Sequence, residues 1–236
     1  MSFGDCMNYF LDTNVIIGYI FSLDYLNINS NEFISFENYH YYSVNVKEEV
    51  ELVYVRNQKQ YRLFLLILMR FFSKFSDNTL INENRGHGLI DTLDDIGTLK
   101  TNQMHTAFNI IWKKLNFNLN HDAFEVKKKF SIFSNDFHSD HALKNQHILD
   151  KLILVSNHTK KDQKILDKIR QENLNMRLLH KKDEDILFDA NEFSKENPQL
   201  NLKFVSADKN FIKAINILMD YLSFSDCVNL HEFENN

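Results

Sequence analysis

The chain has 236 residues, 44% of them hydrophobic, enough for one well-packed domain with a large insertion or for two small domains. One Pro and five Gly leave too few turn-formers for a sandwich or barrel of many short strands, and they favour a helix-rich fold. The net charge of −5 rules out a uniformly basic nucleic-acid binder.

The charge is uneven. Residues 85–175 carry 14 Lys+Arg against 11 Asp+Glu, and the remainder carries 13 against 21. An acidic frame around a mildly basic middle suits a carboxylate site beside a phosphate-tolerant surface, although ordinary scatter on solvated helices gives the same figures. Cys6 and Cys227 are far apart and in no metal spacing, so no disulfide framework is implied. The most apolar run, residues 63–69, meets Arg70 at once, well short of the roughly 20 apolar residues that span a bilayer. With no basic start and apolar core of a signal peptide, a cytoplasmic protein without a membrane partner is expected.

Residues 8–12 (NYFLD) read as a short buried strand ending in a carboxylate. Residues 13–21 read as a helix, with Thr13 and Asn14 suited to its start. Residues 39–45 (YHYYSVN) are aromatic and β-branched, a strand. Val46, Val50, Val53, Leu63, Leu66, Ile67 and Met69 then follow helical spacing, as one long helix or two in series. Residues 77–98 hold three of the five glycines and read as a loop. Helices are predicted over 99–116, 120–133, 140–157 and 160–173, and a short strand over 175–180 (NMRLLH). Residues 183–197 form a helix stopped by Pro198. A strand at 202–206 (LKFVS), a helix at 209–222 and a strand at 227–230 complete the chain.

The ends alternate strand and helix, which predicts an α/β fold with a parallel sheet. The middle reads as an all-helical insertion, residues 60–175, within a single domain spanning 1–236.

In such a sheet, ligand sites form outside the carboxyl ends of the strands. Asp12 ends the first strand, Asp208 follows the strand 202–206, and Asp183 opens the helix after 175–180. Glu49 lies one turn into the helix after the second strand, within reach of the same edge. Four carboxylates placed together repel one another unless a cation lies between them. Oxygen ligands select hard ions, Mg²⁺ or Mn²⁺, which activate water and stabilise charge on a phosphodiester. No serine–histidine–aspartate set, Walker loop or glycine-rich dinucleotide loop competes.

FLDTNVII resembles the opening motif of PIN-domain nucleases. SVNVKEEV is similar to their second motif, with Glu49 six residues after Ser43. DEDILFDA resembles the third, through Asp183 and Ala190, and FVSADKNF the fourth, through Ser206, Asp208 and Phe211. VNLHEF is similar to the closing strand of small PIN proteins. The likeness covers about 8–55 and 175–234. It implies a PIN-like parallel sheet flanked by helices and a metal-dependent nuclease, usually an endoribonuclease. Asp12, Glu49, Asp183 and Asp208 would hold Mg²⁺ or Mn²⁺, with Ser206 and Asn14 supporting and Asp185 as a secondary ligand. RNA is the expected substrate ahead of DNA. A second copy of the chain and an antitoxin-like protein are compatible partners.

There are departures. Asn210 stands where many members carry a further Asp, and the stretch between the second and third motifs is far longer than in the small toxin-type members.

Blander readings stand beside these. Asp12 and Asp208 each suit a helix cap, and Glu48 and Glu51 flank Glu49, but successive helix positions point about 100° apart, which separates them. His138 and His141, with Asp136 and His147, have metal-like content but also suit a solvated helix start, and His87 reads as a loop residue. Lys127–Lys129 and Lys160, Lys161, Lys164 and Lys168 are the basic clusters. Lys161, Lys164 and Lys168 share a helix face and are the candidate RNA contacts. Two other functions stay open. One is a PIN fold with lapsed acids, acting as a scaffold or RNA-binding module in an RNA-processing or toxin–antitoxin complex. The other is a phosphotransferase of the haloacid-dehalogenase type, which needs a second Asp where Asn14 stands.

Overall fold

The structure, a computed structural model, describes residues 7–36, 38–117, 120–156 and 161–233. Cys6 and Lys160 lie outside the described residues. In chain order the elements are β1 (Asn8–Leu11), α1 (Thr13–Ile20), α2 (Asn27–Ser35), β2 (Tyr39–Ser43), α3 (Val44–Ser73), β3 (Leu80–Ile81), α4 (Glu83–Ile90), α5 (Thr101–Lys114) and β4 (His121–Asp122). These are followed by α6 (Ala123–Lys151), β5 (Ile153–Val155), α7 (Gln163–Gln171), α8 (Leu174–Arg177), α9 (Lys181–Glu196), β6 (Lys203–Ser206), α10 (Lys209–Leu218) and β7 (Asp226–Asn229).

The chain divides into two compact units. Unit 1 comprises residues 1–20, 26–51 and 146–236, and unit 2 comprises 21–25 and 52–145. The discontinuity is thus 52–145, against the 60–175 read from sequence, and α7 and α8 belong to unit 1.

Unit 1 is α/β. Its five strands are all parallel, in the order β5-β2-β1-β6-β7, and helices flank the sheet. The strands carry the apolar runs that such doubly covered sheets require: Phe10 and Leu11 of β1 and Phe204 and Val205 of β6 have no exposed surface. Phe10 stacks on Phe204 with ring centroids 5.9 Å apart. From β1 the chain first builds outward through β2 and β5, then returns to lay β6 on the other side of β1. The order therefore reverses between β1 and β6, and it is outside the carboxyl ends of the strands at such a switch point that ligand sites form in open parallel sheets.

Unit 2 is mainly helical. Its core is aromatic: Phe72 lies 5.1 Å from Phe130, and Phe108 lies 5.4 Å from Trp112. A two-residue antiparallel pair, β3 with β4, joins it, so this stretch is not purely helical.

Four sequence readings need correction. Residues 77–98 are not one loop. They contain α4, capped by Asn82, whose side chain accepts from Arg85 N at 3.3 Å. Gly86 marks packing there: a Cβ would collide with the Phe108 ring, so only glycine lets the ring sit against the helix. The helices expected at 120–133 and 140–157 are one, α6, followed by β5. Ile153, Leu154 and Val155 become a strand because they pair with Tyr41, Tyr42 and Ser43. Residues 175–180 form no strand; α8 covers their first part. Among the described residues, no helix is long and apolar enough to cross a membrane.

Candidate functional site

The acids stand around the carboxyl ends of β1 and β6. Asp12 follows the central strand β1 and is nearly buried, 4% exposed. Its Oδ1 accepts from Thr13 N at 2.7 Å. Its Oδ2 accepts from Ser206 Oγ at 2.6 Å and Asn14 Nδ2 at 2.5 Å. Ser206 ends β6 and is wholly buried. Its hydroxyl also accepts from Asn14 Nδ2 at 3.2 Å and Asp208 N at 3.0 Å. Asn14 completes the weave through Oδ1, which accepts from Ala207 N at 2.9 Å. Side chains from α1 and β6 thus lock Asp12 in one orientation at the switch point.

The other acids come from three further elements. Asp208 caps α10, its Oδ1 accepting from Asn210 N at 2.7 Å and Phe211 N at 3.1 Å. Asn210, standing where a further acid was sought, contributes its backbone to that cap. Asp183, in the first turn of α9, accepts from His180 N at 2.9 Å through Oδ2. Glu49, on α3, accepts from Thr13 Oγ1 at 2.8 Å through Oε2. Among the described residues, Glu49 Oε1, Asp183 Oδ1 and Asp208 Oδ2 accept no hydrogen bond.

These acids sense one another. Burial, first, pushes the Asp12 carboxyl up to about 7. The Ser206 and Thr13 bonds oppose this rise, and the charges of Asp183 and Glu49 add to it. Burial also raises Asp183; the His180 N–H opposes, and the charges of Asp208 and Glu49 reinforce. All four therefore share one electrostatic neighbourhood. They do not form a closed ligand cage: among the described residues, no three His, Cys, Asp or Glu side chains have the spacing of a metal-binding group. The donor set is nonetheless all oxygen, with one unengaged oxygen on each of three acids. That suits a hydrated hard cation, which needs only one or two direct carboxylates and keeps several waters.

The remaining candidates are placed differently. Asp185 pairs with Lys161 at 2.6 Å, and Lys161 also meets Glu184 at 3.1 Å, so Asp185 is committed to an ion pair. Lys168 is paired with Glu172 at 2.7 Å. All three lysines of that face, Lys161, Lys164 and Lys168, lie in unit 1. In unit 2, Lys127 binds Asp77 and Lys129 binds Glu125, each at 2.8 Å. His141 is not on a solvated helix start. It is fully buried, its Nδ1 is 2.6 Å from Phe137 O, its Nε2 faces Gln58 Nε2 at 3.4 Å, and its ring stacks on Phe21. His87 lies in α4, with its Nδ1 2.7 Å from that of His105.

Sequence reading missed two participants. Thr13, read only as a helix start, holds Glu49. Asn45, in the first turn of α3, donates to buried Asp189 of α9 at 2.9 Å and so ties the helix bearing Glu49 to the one bearing Asp183. Position in the motif marked Thr13; nothing local marked Asn45.

No protein-family model matches the chain, and neither does any curated protein or solved structure.

Proposed function

We propose that the chain is a PIN-like, metal-dependent nuclease that hydrolyses phosphodiester bonds, RNA ahead of DNA. The observation that carries this reading is the meeting of Asp12, Glu49, Asp183 and Asp208, drawn from four separate elements, at the switch point of a parallel sheet. Mg²⁺ or Mn²⁺, when bound, would supply a Lewis acid and an activated water. Asp12 holds the centre of the site. Asn14 and Ser206 fix its carboxylate, and Thr13 holds Glu49. Asp183 and Asp208 each keep one oxygen for a ligand while the other caps a helix. Asp185 acts indirectly, through Lys161.

The test is cleavage of single-stranded and structured RNA with Mn²⁺ and with a chelator. Asp208→Asn preserves the cap, because Asn caps as well as Asp, and it removes one charge from the site. A fall in cleavage of at least about 100-fold is expected. Wild-type cleavage by the variant or by chelated enzyme refutes the reading. RNA binding without cleavage points to the inactive scaffold instead.

A further inference from the structure

In unit 2, α4 and α5 bring two histidines and two carboxylates together. Glu83, His87 and Asp91 recur every four residues, so they share one face of α4 and its C-terminal cap. His105, in the second turn of α5, meets that face. The His87 and His105 rings lie 4.9 Å apart and 30° from parallel, with Nδ1 facing Nδ1 at 2.7 Å. Their outer nitrogens are backed by carboxylates. His105 Nε2 stands 3.0 Å from Asp91 Oδ1, and His87 Nε2 stands 3.7 Å from Glu83 Oε1. Buried Phe108 meets the His87 ring edge to face at 5.1 Å and steadies it.

Two neutral imidazoles cannot satisfy all three contacts. Each carries a single N–H, and an ionised carboxylate only accepts. With both N–H groups on Nε2, toward the carboxylates, two bare Nδ1 lone pairs are left face to face. Moving one proton to Nδ1 joins the rings but turns a bare Nε2 lone pair on a carboxylate. A cation between the Nδ1 atoms removes the conflict. Among the described residues, Glu83 and Asp91 form ion pairs with these histidines alone. Arg85, the arginine of α4, lies over the Phe75 ring instead. A proton would balance one carboxylate; a divalent ion balances both.

We infer that His87 and His105 form a two-imidazole site for a divalent ion of the Zn²⁺ class. Nδ1 of each ring is the ligand, and Asp91 and Glu83 orient the rings from behind, as carboxylates do for metal-bound histidines. Imidazole donors suit Zn²⁺, Cu²⁺ and Ni²⁺, whereas carboxylates and water suit Mg²⁺ and Mn²⁺. The site is therefore chemically distinct from the four acids of unit 1, and it stands whether or not unit 1 hydrolyses RNA. The protein supplies two ligands and water the rest, in keeping with the lack of any three-ligand group among the described residues. The two side chains are 26% and 28% exposed, which leaves the ion a path and room for that water. Tetrahedral Zn–N bonds of about 2.0–2.1 Å need the Nδ1 atoms about 3.3 Å apart, so the rings would open by about 0.6 Å. Bound, the ion clamps α4 to α5.

The probe is Zn²⁺ alone, titrated calorimetrically into the full chain, untagged and stripped of metal, with excess Mg²⁺ present to occupy hard-ion sites. A Zn²⁺ site that survives the Mg²⁺ is expected. His87→Gln and His105→Gln should each weaken it by at least about tenfold, and Asp91→Asn, which keeps both ligands, by about tenfold. Asp91 is exposed, so that variant keeps the fold even where a histidine variant does not. Imidazole nitrogen NMR of the wild type is the direct readout. Zn²⁺ should shift Nδ1 of His87 and His105 together while both Nε2 atoms keep their protons. Absence of Zn²⁺ binding under Mg²⁺, unchanged affinity in both histidine variants, or Nδ1 signals that Zn²⁺ leaves unmoved overturns the inference. A proton that Zn²⁺ does not displace from between the rings overturns it in favour of a shared hydrogen bond. RNA cleavage does not enter these readouts, so the site and the nuclease reading fail separately.

Discussion

Asp12 ties the stability of the metal-free protein to pH. Its carboxyl sits at about 7 in the fold against 3.8 for an ordinary carboxyl. A raised folded value means that the native state binds the proton more tightly than the unfolded chain. The contribution is full below about pH 4 and is lost as pH rises through about 7. Linkage over that gap amounts to about 4 kcal/mol in all, of which about 2.5 kcal/mol is lost between pH 5 and pH 8. Asp12→Asn removes the titration. Its amide can satisfy Asn14 and Ser206 with its oxygen, but its NH₂ then faces Thr13 N–H, a mismatch costing about 1–3 kcal/mol at every pH. The variant's absolute stability is therefore the wrong readout; its slope against pH is the right one.

The assay is urea unfolding of both proteins with chelator at pH 5 and pH 8. Wild type should lose about 2.5 kcal/mol more than Asp12→Asn across that interval. Saturating Mn²⁺, replacing the proton among the acids, should suppress the alkaline loss in wild type, adding about 2.7 kcal/mol at a hundredfold excess over its dissociation constant. Parallel slopes for the two proteins in chelator would refute the burial argument. Parallel slopes with Mn²⁺ and without it, in wild type, would refute the claim that a cation takes the proton's place.

Ser206→Ala strips Asp12 of a 2.6 Å bond and Asp208 N of its acceptor in a fully buried position. It should cost about 1–3 kcal/mol and move the pH profile of cleavage upward, because that bond lowers the Asp12 carboxyl. An unmoved profile would show that Ser206 is only structural. His40 lies between Tyr9 and Phe33, its Nε2 without a hydrogen-bond partner among the described residues and its pKa depressed to about 4, chiefly by burial. Its depressed value contributes stability that is lost as pH falls from about 6.5 toward 4. Because it removes that penalty, His40→Phe should stand about 2 kcal/mol higher against wild type at pH 5 than at pH 8. A constant difference in thermal or urea unfolding would contradict this. Lys164 carries no ion pair among the described residues, unlike Lys161 and Lys168. Lys164→Glu should flatten the salt dependence of RNA affinity by about 0.7 in log–log slope if it meets a phosphate, and an unchanged slope removes it from the binding surface.

Much of the candidate site was legible because its acids sit beside local signals. Asp12 and Asp208 follow the apolar runs NYFL and KFVS, and Glu49 stands at helical spacing from a strand end. Those patterns depend on neighbours in sequence. What escaped depends on neighbours in space. Ile153–Val155 is a strand by virtue of pairing with β2, more than a hundred residues earlier. As three apolar residues after a helix, it carries no periodicity of its own. The helix α4 was hidden by Gly86 and Gly88, because glycine read locally is a breaker, while Gly86 is there to admit the Phe108 ring. His141 looked polar among polar neighbours and became core once Phe21 and Gln58 met it. Lys161, Lys164 and Lys168 suggested a phosphate face, but Lys161 precedes α7 and is taken up by Glu184 and Asp185 from α9.

Capping is the strongest rival to a functional account of the acids, and it can be weighed residue by residue. It covers Asp208, whose Oδ1 serves two N–H groups of α10, and Asp183, whose Oδ2 serves His180 N. Both also gain from the positive ends of their helices. It does not cover Glu49, which lies a turn inside α3 and whose partner is the Thr13 hydroxyl. It does not cover Asp12 either. A neutral Asn or Ser caps a helix as well as Asp does, without burying a charge that the surroundings push up to about 7. Keeping Asp12 there, gripped by Thr13, Asn14 and Ser206 and facing two other charges, is unfavourable for the isolated fold at neutral pH. On the proposed reading a bound cation would reverse that sign: the same repulsion would become binding free energy, and the network holding Asp12 would become preorganisation. The capping acids would then supply the oxygens that the helices leave unused.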